Sequence, residues 1–103
     1  MKTTDSIQTI DLQQLERAAE RLRSLAHPVR LTILELLQEN SKMNVTEIYK
    51  AIKYEQAATS HHLKIMKENG FLASKRDGKM IFYSVKPKAL KNIVDVIGRC
   101  NKE

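Results

Sequence analysis

The tightest constraint on this chain lies between residues 44 and 85. A helical pattern over residues 44–53 runs almost without linker into a second over residues 55–69, which stops at Gly70. Residues 71–76 and 79–85 then read as strands, and Asp77-Gly78 between them is the two-residue signal of a tight type I′ hairpin. Helix, turn, helix and hairpin therefore follow one another with no slack in the connections.

The flanking segments read as helices. Over residues 5–25, Ile7, Ile10, Leu15, Ala18, Leu22 and Leu25 recur at helical spacing, with Glu16, Arg17, Glu20 and Arg21 mostly elsewhere. Pro28 suits the first turn of a second helix. Val29, Leu31, Ile33, Leu34, Leu36 and Leu37 make that helix apolar on many sides, so it reads as central. Asn40, Ser41 and Lys42 read as a loop. Asn44 and Glu47 have the spacing of a capping box, and Ile48, Ala51 and Ile52 are expected to face inward. Tyr54-Glu55 forms the turn. The next helix is expected to bury Ala58, Leu63 and either Ile65 or Met66, and Gly70 suits a left-handed C-cap. Met80, Phe82 and Ser84 alternate with Ile81, Tyr83 and Val85, as in a half-buried strand. Pro87 opens a last helix over residues 88–101.

At 103 residues the chain reads as one domain spanning 1–103, able to bury roughly two-thirds of its unfolded surface and so to fold with little margin. A hydrophobic content of 42% argues against disorder. The polar N-terminus and the lack of an apolar run of about 18 residues argue against a signal peptide or membrane span. The single cysteine excludes an intrachain disulfide and a multi-cysteine metal site within one chain. Together these features read as a soluble cytoplasmic protein with no membrane partner. The wide apolar stripe of the last helix (Leu90, Ile93, Val94, Ile97 and Cys100), paired with Ile10, Leu15 and Leu22 of the first, reads as a homodimer interface made by residues 5–25 and 88–101.

The net charge of +6 is unevenly placed. Residues 1–49 carry 6 basic and 7 acidic side chains, whereas residues 50–91 carry 10 basic and 3 acidic. Positive charge thus coincides with the helix pair (residues 44–69) and the hairpin (residues 71–85), where counterion release would drive phosphate binding. This is the outline of a winged helix-turn-helix, mainly α with a β-hairpin wing and about five helices. Its second helix fits the DNA major groove, and its hairpin reaches backbone or minor groove. On that helix Gln56, Ala57, Thr59, Ser60, His61, His62 and Lys64 are the candidate DNA contacts. Gln reads adenine, Ser and Thr bond to phosphates or bases, and Ala sits against a thymine methyl. Lys75, Arg76 and Lys79 are the candidate wing contacts; charge on an edge strand also blocks aggregation.

Other chemistry finds little support. His61 and His62 are adjacent, about 100° apart on a helix, whereas helical metal pairs need a spacing of three or four. His61 is expected to face DNA, and His62 to hold a local hydrogen bond or a phosphate. Cys100 falls in phase with an apolar stripe and reads as a small buried hydrophobe, with a redox role if two copies meet near a symmetry axis. No glycine-rich phosphate loop and no nucleophile–base pair is visible, so the chain does not read as an enzyme, and no cofactor or metal is expected.

At LAHPVRLTILELL (residues 25–37), VTEIYKAI (residues 45–52) and, most specifically, QAATSHHLKIMKENGFLASKRDGKMIFYSV (residues 56–85), the chain resembles the ArsR/SmtB family of winged-helix repressors. About 60 residues carry the resemblance. It implies a homodimer that binds an inverted repeat in double-stranded operator DNA and is released by an effector. It places Gln56, Ala57, Thr59, Ser60 and His61 on the reading face and Lys75, Arg76 and Lys79 on the wing. It also gives Arg30 a recurrent basic position, which suits either a phosphate contact or a structural ion pair. Where many metal-sensing members carry Cys-x-Cys, this chain reads Lys42-Met43-Asn44-Val45-Thr46, and its last helix offers Asp95 and no histidine. The departures leave three readings open: an effector that is not a metal, with an unknown small molecule as the candidate; repression without an effector; or metal ligands from an unfamiliar place. The alternatives are a winged-helix protein-interaction module and a redox sensor using Cys100.

Overall fold

Side-chain caps set where the helices begin. The computed structural model describes residues 11–89 and residue 91, with α1 at Leu12–Leu25, α2 at Pro28–Glu39, α3 at Val45–Ile52 and α4 at Gln56–Glu68. Strands β1 (Met43–Asn44), β2 (Leu72–Asp77) and β3 (Met80–Val85) form an antiparallel sheet of order β1-β3-β2. Helical backbone resumes at residues 87–89. Ile10, Leu90, Ile93, Val94, Ile97 and Cys100, all expected at a dimer interface, lie outside the described residues.

Of the helix expected over residues 5–25, the described part is capped at Asp11. Its backbone is extended, and its carboxylate accepts from the N–H groups of Gln13 and Gln14 at 3.0 and 3.3 Å, so α1 starts one residue later. His27 caps α2 in the same way, its Nδ1 accepting from the Val29 N–H at 3.2 Å, with Pro28 in the first helical position. The capping box of α3 is complete. The Asn44 side chain accepts from the Glu47 N–H at 2.8 Å, and the Glu47 carboxylate accepts from the Asn44 N–H at 2.9 Å.

Two helix ends share one hydrogen-bond pattern. At the end of α4, the Gly70 N–H donates to the Lys67 carbonyl and the Phe71 N–H to the Met66 carbonyl, with Gly70 at φ +81°. This is a Schellman motif with glycine in its left-handed position. At the end of α3, Lys53 donates to Lys50 and Tyr54 to Tyr49 in the same pattern, but the left-handed residue is Lys53, at φ 57°. A side chain there carries a steric cost that glycine avoids.

The seven large apolar side chains Ile33, Leu37, Ile48, Leu63, Met66, Phe71 and Leu72 are fully buried and come from α2, α3, α4, β2 and the link before β2. Burial of each contributes about 1.5–3 kcal/mol. The α1 helix adds Ala18 and Leu25, with Leu22 packed at the margin of the core. Two expectations are corrected. Leu31 is 48% exposed, because α2 buries only the stripe of Ile33, Leu34 and Leu37. Ala51 is exposed, because α3 presents Ile48 and Ile52 to the core.

The sheet departs from expectation in two details. The loop expected at residues 40–42 leads into β1, whose Met43 and Asn44 pair with Tyr83 and Phe82. In the hairpin, Asp77 pairs with Met80, so the two-residue connection is Gly78-Lys79 rather than Asp77-Gly78. Of these two, only Gly78 has positive φ, at +66°. That is the requirement of a type II′ turn, with glycine first, whereas type I′ needs positive φ at both positions. No helix among the described residues is long and apolar enough to cross a membrane.

Candidate DNA-binding interface

The α4 helix divides its residues by phase. At about 100° per residue, Gln56, Ala57, Ser60, His61, Lys64 and Lys67 fall on one contiguous face, and all are exposed. Thr59, His62, Leu63 and Met66, at spacing i, i+3, i+4 and i+7, form the opposite face and are buried. The expectation that Thr59 reads DNA is therefore overturned. It is 0% exposed, and its Oγ1 has no hydrogen-bond partner among the described residues. The i, i+3, i+4 spacing from Thr59 to Leu63 was visible in the sequence, but the polarity of Thr59 and His62 masked it.

His62 is 8% exposed and is engaged within the protein rather than held out to a phosphate. Its Nδ1 accepts from Arg30 Nε at 3.0 Å, which leaves the proton of the neutral ring on Nε2. Arg30 in turn donates through Nη1 to the Ser24 carbonyl at 2.6 Å and to Ser24 Oγ at 3.2 Å. Arg30 makes no ion pair among the described residues; its guanidinium braces α1, α2 and α4 against one another. The His27 ring lies 4.6 Å from His62, and the rings of Tyr54 and His61 lie 6.1 and 6.2 Å away. Burial first, and then the charges of His27, Arg30 and His61, hold the His62 pKa below its ordinary 6.5.

The wing is fastened to the end of α4 through the Schellman turn and through the Lys86 N–H, which donates to the Phe71 carbonyl at 2.8 Å. Lys75 and Arg76 pair with Phe82 and Ile81, so they point to opposite faces of the hairpin, and Lys79 sits in its turn. All three are exposed. Lys42, which sequence reasoning missed, joins them: its Nζ lies 5.2 Å from the centroid of the Phe82 ring. It shares a cleft of about 230 Å³ with Lys75, Arg76 and Asp77. Only the pairing of β1 with β3 brings Lys42 there, and a two-residue strand leaves no periodicity to read.

Among the described residues the one ion pair is Arg23–Glu20, at 2.7 Å on the far helix α1. Lys64, Lys67, Lys75, Arg76 and Lys79 thus have no carboxylate partner among the described residues. At the start of α4, Glu55 makes no side-chain cap. The first-turn N–H groups consequently face a shallow cleft lined by Glu55, Gln56, Ala57 and Ser60.

Comparison with known proteins matches this arrangement. The sequence profile described as "Bacterial regulatory protein, arsR family" matches residues 27–74, which run from the α2 cap to the middle of β2. The HTH-type transcriptional regulator MJ1325 of Methanocaldococcus jannaschii is 35% identical over 86 residues, covering 84% of this chain and 97% of that protein. The transcriptional repressor PagR of Bacillus anthracis is 33% identical over 93 residues, covering 85% of this chain and 88% of PagR. The crystal structure of PagR superposes with a TM-score of 0.69 at 36% identity, covering 84% of this chain and 99% of that one. The exposed polar face of α4 and the basic wing therefore sit on a shared scaffold, and the chain belongs to the arsR family of bacterial regulatory proteins.

Proposed function

We propose that the chain acts as a homodimeric transcriptional repressor, laying α4 into the major groove at each half of an inverted repeat and its wing along the flanking backbone. The observation that carries this reading is the α4 face of Gln56, Ala57, Ser60, His61 and Lys64, flanked by Lys67, Lys75, Arg76 and Lys79, none of which has a carboxylate partner among the described residues. Gln56, Ser60 and His61 present donors and acceptors to base edges, while Lys64, Lys75, Arg76 and Lys79 meet phosphates. The open first turn of α4 adds main-chain donors at the positive end of the helix dipole, where a phosphate is stabilised. His62 supports the face from behind by holding α4 against Arg30. The two-fold arrangement follows from pairing of the chain ends, with Leu15 and Leu22 of α1 contributing, and it sets the spacing of the half-sites. The protein works where the chromosome is, and its effector is not a thiolate-bound metal.

Selection of binding sites from a random duplex library at near-physiological salt tests this reading. An enriched inverted repeat, bound with a steep salt dependence equivalent to about 6–10 neutralised phosphates per dimer, is the expected result. Recovery of no sequence would leave the α4 face as a protein-docking surface and overturn the proposal.

A further inference from the structure

At the far end of α4, about 20 Å from Gln56 by helical rise, an open cleft of about 760 Å³ lies between α1, the α4 turn and the base of the wing. Its walls are Arg21, Glu68, Asn69, Gly70 and residues 86–89, and its volume falls in the range of small-molecule sites. The position of Arg21 is the notable feature. Its Nε donates to the Asn69 carbonyl at 3.0 Å, and its guanidinium carbon lies 5.3 Å from the centroid of the Phe71 ring. Arg21 Nη2 lies beside Gly70, where a Cβ would stand 3.4 Å from it, an ordinary packing distance. The guanidinium is thereby held in place, while Nη1 and Nη2 have no acceptor among the described residues.

A fixed guanidinium whose terminal nitrogens have no partner among the described residues presents a fork that matches a planar or tetrahedral oxyanion. Lys86 and Lys88 on the opposite wall add two cations against the single carboxylate of Glu68. The negative end of the α4 dipole would oppose an anion here. However, the carbonyls of Ile65, Met66, Lys67 and Asn69 already accept hydrogen bonds from Asn69, Phe71, Gly70 and Arg21. We propose that this cleft is a binding site for a small organic oxyanion, a carboxylate or phosphate ester, held by Arg21 with Lys86 and Lys88. The ligand would bridge α1 to the junction between α4 and the wing, the two elements that meet DNA on the function proposed above.

The test follows the Arg21 Nε–H resonance of the full chain by NMR during titration with inorganic phosphate, with citrate and, separately, with operator duplex. Sodium chloride of matched ionic strength is the control. The proposal expects a saturating shift with phosphate or citrate, absent with chloride. It also expects at least a tenfold weaker apparent affinity in the double variant Lys86→Gln/Lys88→Gln, whose exposed side chains leave the fold intact. Shifts that chloride reproduces, or that the double variant leaves unchanged, would overturn it. So would an Arg21 response to duplex alone, which would identify the anion as the DNA backbone.

Discussion

Replacing Thr59 with valine separates the structure of α4 from its chemistry. Thr59 is fully buried, its hydroxyl has no partner among the described residues, and it lies on the core face with Leu63 and Met66. A buried hydroxyl left unpaired costs about 1–3 kcal/mol. Valine nearly matches the shape of threonine and has a similar helix propensity, so neither packing nor the helix offsets much of the gain. Thr59→Val should therefore raise stability by about 1–2 kcal/mol, or about 4–8 °C in Tm per kcal/mol for a domain of this size. Urea unfolding followed by helical circular dichroism, at fixed protomer concentration so that the proposed dimerisation does not shift the midpoint, should move the midpoint upward at unchanged slope. Affinity for the selected operator should stay within about twofold. Ser60→Ala and His61→Ala, on the exposed face, should do the reverse, with stability within about 0.5 kcal/mol of the parent and operator binding weakened by about 1–3 kcal/mol wherever the native side chain reads a base edge. A Thr59→Val variant that is less stable than the parent, or that loses operator binding at unchanged stability, would refute this assignment of faces.

Lys53→Gly should stabilise the chain by about 1 kcal/mol, because it places glycine in a left-handed position that a side chain occupies at a cost of about 1–2 kcal/mol; thermal unfolding reads this directly. Replacing Lys75, Arg76 and Lys79 with alanine should leave stability nearly unchanged and flatten the salt dependence of operator binding, by about 0.9 for each phosphate the wing no longer neutralises. An unchanged slope would mean that the wing does not meet DNA. His62 is held neutral by burial and by neighbouring positive groups, so it binds protons less readily folded than unfolded. Its contribution to stability is full above the unfolded value of 6.5 and is lost as pH falls through the lowered folded value. His62→Gln should remove that part of the acid-side loss in a series of urea midpoints from pH 8 to pH 5.

The elements legible in the sequence were those whose physics is local. The capping box at Asn44 and Glu47, Pro28 at a helix start and Gly70 at a helix end each depend on a few neighbouring residues, and all three are present in the structure. What escaped depends on distant partners. The β1 strand exists because Met43 and Asn44 lie alongside Tyr83 and Phe82, about forty residues away, and Lys42 reaches the wing only through that pairing. The hairpin dipeptide was misplaced by one residue because Asp77-Gly78 and Gly78-Lys79 both supply a glycine; cross-strand register decides between them. Arg30 carried a charge that suggested an outward role, yet its acceptors are Ser24 and His62, which no spacing rule links to it.

The failure at Thr59 bears on how α4 is held. Two of its four buried side chains, Leu63 and Met66, are apolar; the other two, Thr59 and His62, are polar. A helix anchored by apolar burial alone can slide or rotate at modest cost, because burial is non-directional. The Arg30–His62 bond is directional, and Arg30 is itself tied to Ser24 at the end of α1, so rotation of α4 would break a chain of hydrogen bonds linking three helices. The polar residues on the inner face thus fix the angle at which Gln56, Ser60 and His61 are presented. The same pattern that obscured the helix phase in the sequence is what orients the outer face. Arg21 does the equivalent at the C-terminal end of α4, where it ties α1 to the Asn69 carbonyl. The α4 helix is therefore tied toward α1 at its middle, through Arg30, and at its C-terminal end, through Arg21, and a change in α1, whether from the proposed subunit pairing or from the proposed anion on Arg21, has a mechanical route to the face proposed to meet DNA.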